Sequence, residues 1–143
     1  MQNTFKMTLL ATAAATLIAG AAHAEIKVGV ILGFTGPIES LTPTMADSAE
    51  LAFAEASNSG LLLGGETITS VRADSTCVDA SAAIAAAERL VNSDGVVAIM
   101  GADCSGVTGA IAKNVGAPNG VAMVSPSATS PGLSSIDDNG VFS

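Results

Sequence analysis

Four short segments with strand patterns, separated by turns and helical patterns, constrain the fold of this chain more than any other feature. They are apolar runs at residues 26–32, 96–100 and 121–124, and a more polar segment at residues 66–74. The apolar spacing between them predicts helices from Thr44 or Asp47 to Asn58, from Ala80 to Asn92 and from Gly106 to Asn114. Strict alternation of strand and helix is typical of an α/β layer. We therefore predict an α/β fold in which a parallel sheet carries helices on both faces, with right-handed crossovers.

Residues 1–24 have the pattern of a secretory signal peptide. Lys6 supplies a positive start, residues 7–22 carry no charge, and Ala22-His23-Ala24 is an A-x-A cleavage site. The alternative is an uncleaved membrane anchor, but the stretch is shorter and less apolar than the ~20 residues that span a bilayer. No cysteine follows the site and the chain has no twin arginine. We predict cleavage after Ala24 and export to the periplasm.

The composition excludes two large classes of protein. With 49% hydrophobic and 13% charged residues, the chain has the apolar content of a folded domain rather than of a disordered segment. The formal net charge is -8, and no cluster of Lys or Arg is present. We do not expect nucleic-acid binding, because it requires basic patches or aromatic stacking platforms.

Residues 25–143 lack the residue patterns of several catalytic and cofactor sites. The only histidine is His23, so Ser-His pairs, Cys-His pairs and His-ligated metal sites are excluded downstream of the predicted signal peptide. Residues 101–106 do not have the glycine spacing of a nucleophile elbow. Phosphate-binding glycine motifs are also missing from the sequence. We predict no catalytic residues, no metal site and no cofactor.

Small hydroxyl residues occur where the predicted strands end. They follow the first strand at Thr35, Ser40 and Thr42, the third at Ser105 and the fourth at residues 125–130. Ligands of open α/β sheets bind outside the carboxyl ends of the strands, where helix N-termini offer unpaired N–H groups. Such donors suit a small carboxylate ligand. The alternative is that these residues are ordinary turns and caps, with Asp79 or Ser81 capping the second helix and Ser105 the third.

Five segments follow the predicted signal peptide in a characteristic order. They are Ile26-Lys27-Val28-Gly29, Thr35-Gly36-Pro37, Ala73-Asp74 before Cys77, Cys104-Ser105, and Ser125-Pro126-Ser127-Ala128-Thr129 with Pro131. With these segments the chain resembles the periplasmic leucine/isoleucine/valine-binding proteins, which are substrate-binding subunits of ABC importers. The resemblance implies the type I periplasmic binding fold, with residues 25–143 as the N-terminal part of its first lobe. It also implies a small amino acid or related solute, permease subunits as partners, and no enzymatic activity.

The resemblance further implies which residues contact the solute. Ser105 and Thr129 match the residues that hold the α-carboxylate, Thr129 through both its hydroxyl and its backbone N–H. The carbonyl of Ser127 matches an acceptor for the ammonium group, and Ala128 contributes backbone to the same loop. Leu41 stands where the family often has an aromatic residue against the solute side chain. This departure leaves the specificity for the solute side chain open. Leucine-like amino acids, amides and urea-like solutes all stay possible, because in the family the second lobe usually decides the solute.

Cys77 and Cys104 are the only cysteines of the chain. In an exported protein two cysteines are expected to form a disulfide, the alternative being two buried free thiols. The family resemblance pairs Cys77 with Cys104. Both residues follow predicted strands, which places them at the same end of the sheet.

Two other functions stay open on the sequence alone. The same fold serves as the ligand-binding module of sensors and receptors, and an exported enzyme could carry its catalytic residues elsewhere in the polypeptide. A turn predicted at residues 137–140 is followed by Val141-Phe142, which has the pattern of a strand start. We therefore expect the sequence to be a C-terminally truncated fragment. Expressed alone, residues 25–143 are expected to be marginally stable and to bind a solute weakly or not at all.

Overall fold

The computed structural model describes residues 25–137, whose four strands form one parallel sheet. The strands are β1 (Glu25–Leu32), β2 (Thr67–Asp74), β3 (Ala98–Gly101) and β4 (Ala122–Val124). Their order across the sheet is β2-β1-β3-β4, and every neighbouring pair is parallel. The predicted signal peptide and the strand start at Val141-Phe142 lie outside the described residues. Within them, the predicted parallel α/β sheet is confirmed.

In the part of the chain that the structure describes, four α-helices connect or follow the strands. They are α1 (Thr42–Asn58), α2 (Ala80–Arg89), α3 (Ser105–Ile111) and α4 (Ala117–Asn119). Two of them, α2 and α3, continue directly into wider π-type turns at Leu90–Asp94 and Ala112–Gly116. The segment that follows β4 contains a 3-10 turn, Pro131–Ser135. The connections therefore follow the predicted alternation, while their ends differ by a few residues.

The alternation of side chains along β1 creates a core on each face of the sheet. Val30 and Leu32 point to one face and pack with Ala46 of α1. Ile31, between them, points to the other face and joins the larger core. That core is contributed by α2, α3 and their continuations, through Ala83, Ala87, Leu90, Val107, Ile111 and Val115. Both faces are thus covered by helices, as expected for a strand whose successive side chains alternate.

The strand order creates a topological switch point beside β1. The chain passes from β1 outward to β2 through α1, and then returns past β1 to β3 through α2. The loops that follow β1 and β3 consequently diverge. In open α/β sheets this is the position where ligands bind. We call the four strand ends and the loops that follow them the carboxyl end of the sheet.

The first turn of α1 corrects the predicted start of that helix. Neither Thr44 nor Asp47 is the cap, because the helix begins at Thr42 and its N-cap, Leu41, makes no side-chain capping bond. Pro43 lies in the first turn, where its missing N–H costs nothing. The Thr44 hydroxyl donates to the carbonyl of Leu41 at 2.9 Å. Asp79, by contrast, caps α2 as predicted, since its carboxylate accepts two first-turn N–H groups.

Arg72 attaches α1 to the outer strand β2. Its guanidinium donates to both carboxylate oxygens of Glu50, at 2.7 and 2.8 Å, and to Asp47 at 2.7 Å. It also lies 5.7 Å from the centre of the Phe34 ring. The hydrogen bond from Arg72 lowers the pKa of Glu50, with burial opposing and the Ser70 hydroxyl assisting. These hydrogen bonds from Arg72 orient α1, whose N-terminus lies at the carboxyl end of the sheet.

Gly101 permits the close approach of β3 to β1. It pairs with Ile31, has a φ of +133°, and a Cβ there would lie 2.0 Å from the Ile31 carbonyl oxygen. We expect Gly101→Ala to lower the free energy of unfolding by more than about 4 kcal/mol, because the strands must separate. Gly120→Ala is the matched control: its φ is +63° but its surroundings are open, so the expected cost is about 1–2 kcal/mol. Urea unfolding of the full-length protein measures both, and equal losses would contradict the steric argument.

Candidate functional site

The loop that follows β4 is held against residues that follow β3. The Ser125 hydroxyl donates to the carbonyl of Ala102 at 2.6 Å, and the Ser127 hydroxyl donates to the carbonyl of Asp103 at 2.9 Å. Ser125 Oγ also accepts the N–H groups of Ser127 and Ala128, at 3.3 and 2.9 Å. These bonds close a turn at residues 125–128 and fix it at the carboxyl end of the sheet.

Ser105 bonds to the same loop rather than to its own helix. Its Oγ accepts the backbone N–H groups of Thr129 and Ser130, both at 3.1 Å. The N-cap of α3 is Cys104, and no side-chain capping bond is present there. The expectation that Ser105 caps the third helix is therefore wrong, because the tertiary contact takes its oxygen. The structure brings together Ser105 and Thr129, the two residues expected to hold a carboxylate.

A disulfide joins the loops that follow β2 and β3. Cys77 and Cys104 are bonded, with their Cα atoms 5.2 Å apart. The predicted pairing is therefore present in the structure, and the alternative of two free thiols is wrong. Thr76 and Cys77 both have positive φ angles, 57° and 70°. This unusual backbone turns the chain from the end of β2 toward Cys104.

Asp103 is a buried carboxylate that the sequence did not single out. Only 3% of the residue is exposed. Its two oxygens accept the N–H of Gly33 at 3.2 and 3.1 Å, and Oδ1 accepts the hydroxyl of Ser75 at 3.3 Å. Gly33 follows β1 and Ser75 follows β2. Asp103 thus links the ends of three strands.

The loop after β1 is bonded to the end of β2 through Asp74. The Thr35 hydroxyl donates to Asp74 at 2.5 Å, and the N–H groups of Thr35 and Thr76 donate at 3.3 and 2.8 Å. Burial raises the pKa of Asp74, but these bonds and the Phe34 N–H outweigh it, so the pKa lies below its ordinary value. The carboxylate is consequently held in its charged form by neutral donors.

Leu41 lies in the loop between β1 and α1, directly before the first residue of that helix. Its residue surface is 54% exposed. The next residue, Thr42, is buried and donates its hydroxyl to the carbonyl of Gly33 at 3.1 Å, which ties the start of α1 to the end of β1. Leu41 therefore belongs to the carboxyl end of the sheet. No hydrogen bond found among residues 25–137 connects it to Ser105, Ser127, Ala128 or Thr129.

The four loops at the carboxyl end contain hydroxyl and amide donors but no Lys or Arg. Among residues 25–137, no group of three or more His, Cys, Asp or Glu side chains could hold a metal ion. The same part of the chain contains no helix with the length and apolar character needed to cross a membrane. An anion bound at this end would be held by neutral hydrogen-bond donors.

Comparison with known proteins identifies the family. Residues 25–143 match the family model described as "Periplasmic binding protein". The chain belongs to this family. Membership implies a periplasmic or otherwise extracytoplasmic location and a solute-binding fold.

Two similar proteins are named for binding Leu, Ile and Val. The chain is 35% identical over 127 residues to the Leu/Ile/Val-binding protein BraC3 of Rhizobium johnstonii, covering 88% of this chain and 34% of that protein. It is 33% identical over 127 residues to the Leu/Ile/Val/Thr-binding protein of Salmonella typhimurium, with the same two coverages. The chain therefore spans about a third of the length of these relatives.

Solved structures agree with the fold. The branched-chain amino acid transporter substrate binding protein LivJ of Streptococcus pneumoniae, in complex with isoleucine, is 30% identical with a TM-score of 0.69. The match covers 77% of this chain and 31% of that protein. An ABC transporter substrate-binding protein of Desulfitobacterium hafniense, in complex with Leu, is 27% identical with a TM-score of 0.70, covering 83% of this chain and 33% of that one.

Asp103 was not predicted as a site residue, and Ser125 was predicted only as one of the hydroxyl residues that follow the fourth strand. Asp103 is a charged residue between a buried strand and a cysteine expected in a disulfide, which is a signal of a satisfied buried carboxylate. Ser125 opens a Ser-x-Ser run after the last strand, which is a turn signal. Both signals are local, but the partners of these residues are distant in sequence.

The disulfide has a direct chemical test. Tryptic cleavage after Arg72, Arg89 and Lys113 places Cys77 in the peptide 73–89 and Cys104 in the peptide 90–113. Mass spectrometry of the exported protein without reductant should detect these two peptides joined. For a sequence separation of 27 residues, the double variant Cys77→Ser/Cys104→Ser should lose about 3.5 kcal/mol of unfolding free energy. Two freely alkylated thiols would rule the bond out.

The Thr35–Asp74 bond predicts a pH effect. Thr35→Val removes the hydroxyl donor and should raise the pKa of Asp74, measured by carboxyl-carbon NMR titration, whereas Thr35→Ser should leave it low. A lowered folded-state pKa stabilises the protein above the ordinary carboxyl value. That contribution is lost as the pH falls through the lowered pKa. Below about pH 5 the unfolding free energy of the wild type should therefore decline toward that of Thr35→Val. A parallel decline of the two proteins would contradict the assignment.

Proposed function

We propose that this chain is the N-terminal part of the first lobe of an extracytoplasmic substrate-binding subunit of an ABC importer. In this proposal residues 1–24 are a signal peptide that is cleaved after Ala24, and residues 25–143 belong to the ligand-binding lobe. The solute is a small amino acid bound through its carboxylate, without chemistry. The protein partners of this subunit are the permease subunits of the importer.

The contact between Ser105 and the loop at residues 129–130 is the observation that carries this proposal. A hydroxyl has two acceptor positions and one donor. Both acceptor positions of Ser105 are filled by N–H groups, at 3.1 Å each. Its own O–H is therefore left as a donor, polarised by the bonds that it accepts. A donor held in this way at a topological switch point suits a carboxylate oxygen.

The other proposed contacts lie in the loops after β4 and β1, at the same end of the sheet as this donor. The exposed side chain of Thr129 offers a second hydroxyl, while its N–H is already donated to Ser105. The backbone of Ser127 and Ala128 is fixed by Ser125, so the Ser127 carbonyl is positioned as an acceptor for an ammonium group. Leu41, exposed in the loop after β1, supplies an apolar contact for the solute side chain. Together these groups are complementary to the carboxylate, the ammonium group and the side chain of an amino acid zwitterion.

The choice of solute rests on the relatives. Two of them are named for binding Leu, Ile and Val, one of these also for Thr, and two similar structures contain isoleucine or leucine. An aliphatic amino acid also suits Leu41, which is apolar and 54% exposed. L-Isoleucine and L-leucine are therefore the first solutes to test.

The hydrogen bonds of Ser105 disfavour a role as a catalytic nucleophile. A serine nucleophile needs a general base within hydrogen-bond reach. The oxygen of Ser105 would attack a substrate through its lone pairs. Both lone-pair positions already accept N–H groups, those of Thr129 and Ser130. The sequence after Ala24 contains no histidine to serve as the base. Ser105 is thus suited to donate a hydrogen bond and poorly suited to attack a substrate.

Substitution of Ser105 tests the proposal in the full-length protein. Calorimetric titration with L-isoleucine and L-leucine should show Ser105→Ala binding about 10- to 100-fold more weakly, because a hydrogen bond to a charged group contributes about 1.5–3 kcal/mol. Ser105→Thr keeps the hydroxyl and should retain most of the affinity. Ser93→Ala is the control, since Ser93 is exposed and precedes β3 at the opposite end of the sheet.

The outcomes separate the parts of the proposal. Equal affinities of Ser105→Ala and Ser93→Ala would remove Ser105 from the site. Turnover of the bound solute would contradict the binding role itself. Failure of the wild type to bind either amino acid would reject the proposed solute.

A further inference from the structure

Asp103 has a buried carboxyl group, and none of its hydrogen bonds comes from a cation. Its carboxylate accepts only the Gly33 N–H and the Ser75 hydroxyl. Neither Lys nor Arg forms an ion pair with it among residues 25–137. Burial of a carboxylate is costly unless hydrogen bonds compensate, and a buried charge is weak evidence for a gain in stability. The role of Asp103 therefore lies in the two residues that its carboxylate oxygens hold in place, Gly33 and Ser75.

The loops on either side of Asp103 are packed closely against it. A Cβ added at Gly33 would lie 3.3 Å from Asp103 Oδ2 and 3.1 Å from the Cβ of Cys77. The backbone at Gly33 thus lies against both the carboxylate of Asp103 and the side chain of Cys77. Both oxygens of Asp103 lie within 3.2 Å of a single N–H, that of Gly33. Such a two-sided contact sets the distance between the loops after β1 and β3.

The backbone of Asp103 carries the link onward to the proposed solute site. Its carbonyl accepts the Ser127 hydroxyl at 2.9 Å. Two residues later, Ser105 accepts the N–H groups of Thr129 and Ser130. One residue therefore bonds to the loops after β1, β2 and β4, and it lies next to the segment that presents Ser105.

We propose that Asp103 is a positioning residue for the solute site, whose buried carboxylate sets the spacing between the loops after β1 and β2 and the segment that presents Ser105. The inference rests on the proposed binding function. Asp103 itself makes no contact with the solute in this proposal. It acts by holding Gly33 and Ser75 on one side, so that Ser105 and Ser127 keep their positions on the other.

Asp103→Asn in the full-length protein is the test, because an amide keeps the shape but replaces one acceptor with a donor. In either orientation, the amide nitrogen faces the Gly33 N–H and at least one bond is lost. We expect this variant to bind L-isoleucine at least 10-fold more weakly. Amide hydrogen exchange at Gly33, Thr129 and Ser130 should accelerate in the same variant. Ile99→Val is the control, since it trims a buried side chain of β3 that lies in the core rather than at the site.

Ser75→Ala is a second, milder variant that removes one donor to Asp103 and decides the case if Asp103→Asn does not fold. It should weaken binding about 3-fold and accelerate exchange at Gly33. Combined with Asp103→Asn, its effect should be less than additive, because both changes break the same contact.

Three results would overturn the inference. Asp103→Asn and Ile99→Val could bind equally well, which would leave Asp103 with a purely structural role. Asp103→Asn could bind more tightly, which would mean that its charge acts on the solute directly. Unchanged exchange at Thr129 and Ser130 would show that the link does not reach the site. If the wild type binds neither isoleucine nor leucine, the proposed solute fails, while the exchange measurement still decides the role of Asp103.

Discussion

The short segment after β3 determines the arrangement of the whole carboxyl end of the sheet. A chain that leaves a buried strand must find partners for its backbone polar groups. Here the carbonyl of Ala102 accepts hydroxyls from both Thr108 and Ser125, at 3.0 and 2.6 Å. The next residues bond to the neighbouring loops through the Asp103 carboxylate and the Cys104 disulfide. Because each residue from 102 to 105 has a partner in another loop or in α3, the four strand ends hold one another in register.

This arrangement also determines how an anion can be recognised. The chain has a formal net charge of -8, so its long-range field disfavours anionic solutes. The loops at the carboxyl end supply no Lys or Arg to offset that field. Short-range hydrogen bonds from hydroxyl and N–H groups must provide the attraction instead. Such donors suit a zwitterion, which is neutral overall and presents its carboxylate to one side of the site.

The sequence predicted the elements better than their ends. The predicted strands lie within two residues of the observed ones. The clearest pattern is that of β1, whose last four residues are buried on both faces and therefore form a continuous apolar run. Helix starts were less reliable. Thr44 and Asp47 both favour caps, but the buried bond from Thr42 to the carbonyl of Gly33 draws the helix start forward. Ser105 has the residue type of a cap, yet its oxygen is taken by Thr129 and Ser130. In both cases a tertiary contact displaced a local preference.

The amino-acid sequence alone predicted the fold class and the hydroxyl donors at the strand ends, and it gave Cys77 and Cys104 as the expected disulfide partners. These properties follow from periodicity, composition and motif order, which are local or additive along the chain. The burial of Asp103 became visible only in the folded chain. The same is true of the bonds from Ser125 and Ser127 to the carbonyls after β3 and of the bonds that Ser105 accepts from residues 129 and 130. Those bonds join residues from 23 to 70 positions apart, and their geometry is set by the strand order β2-β1-β3-β4.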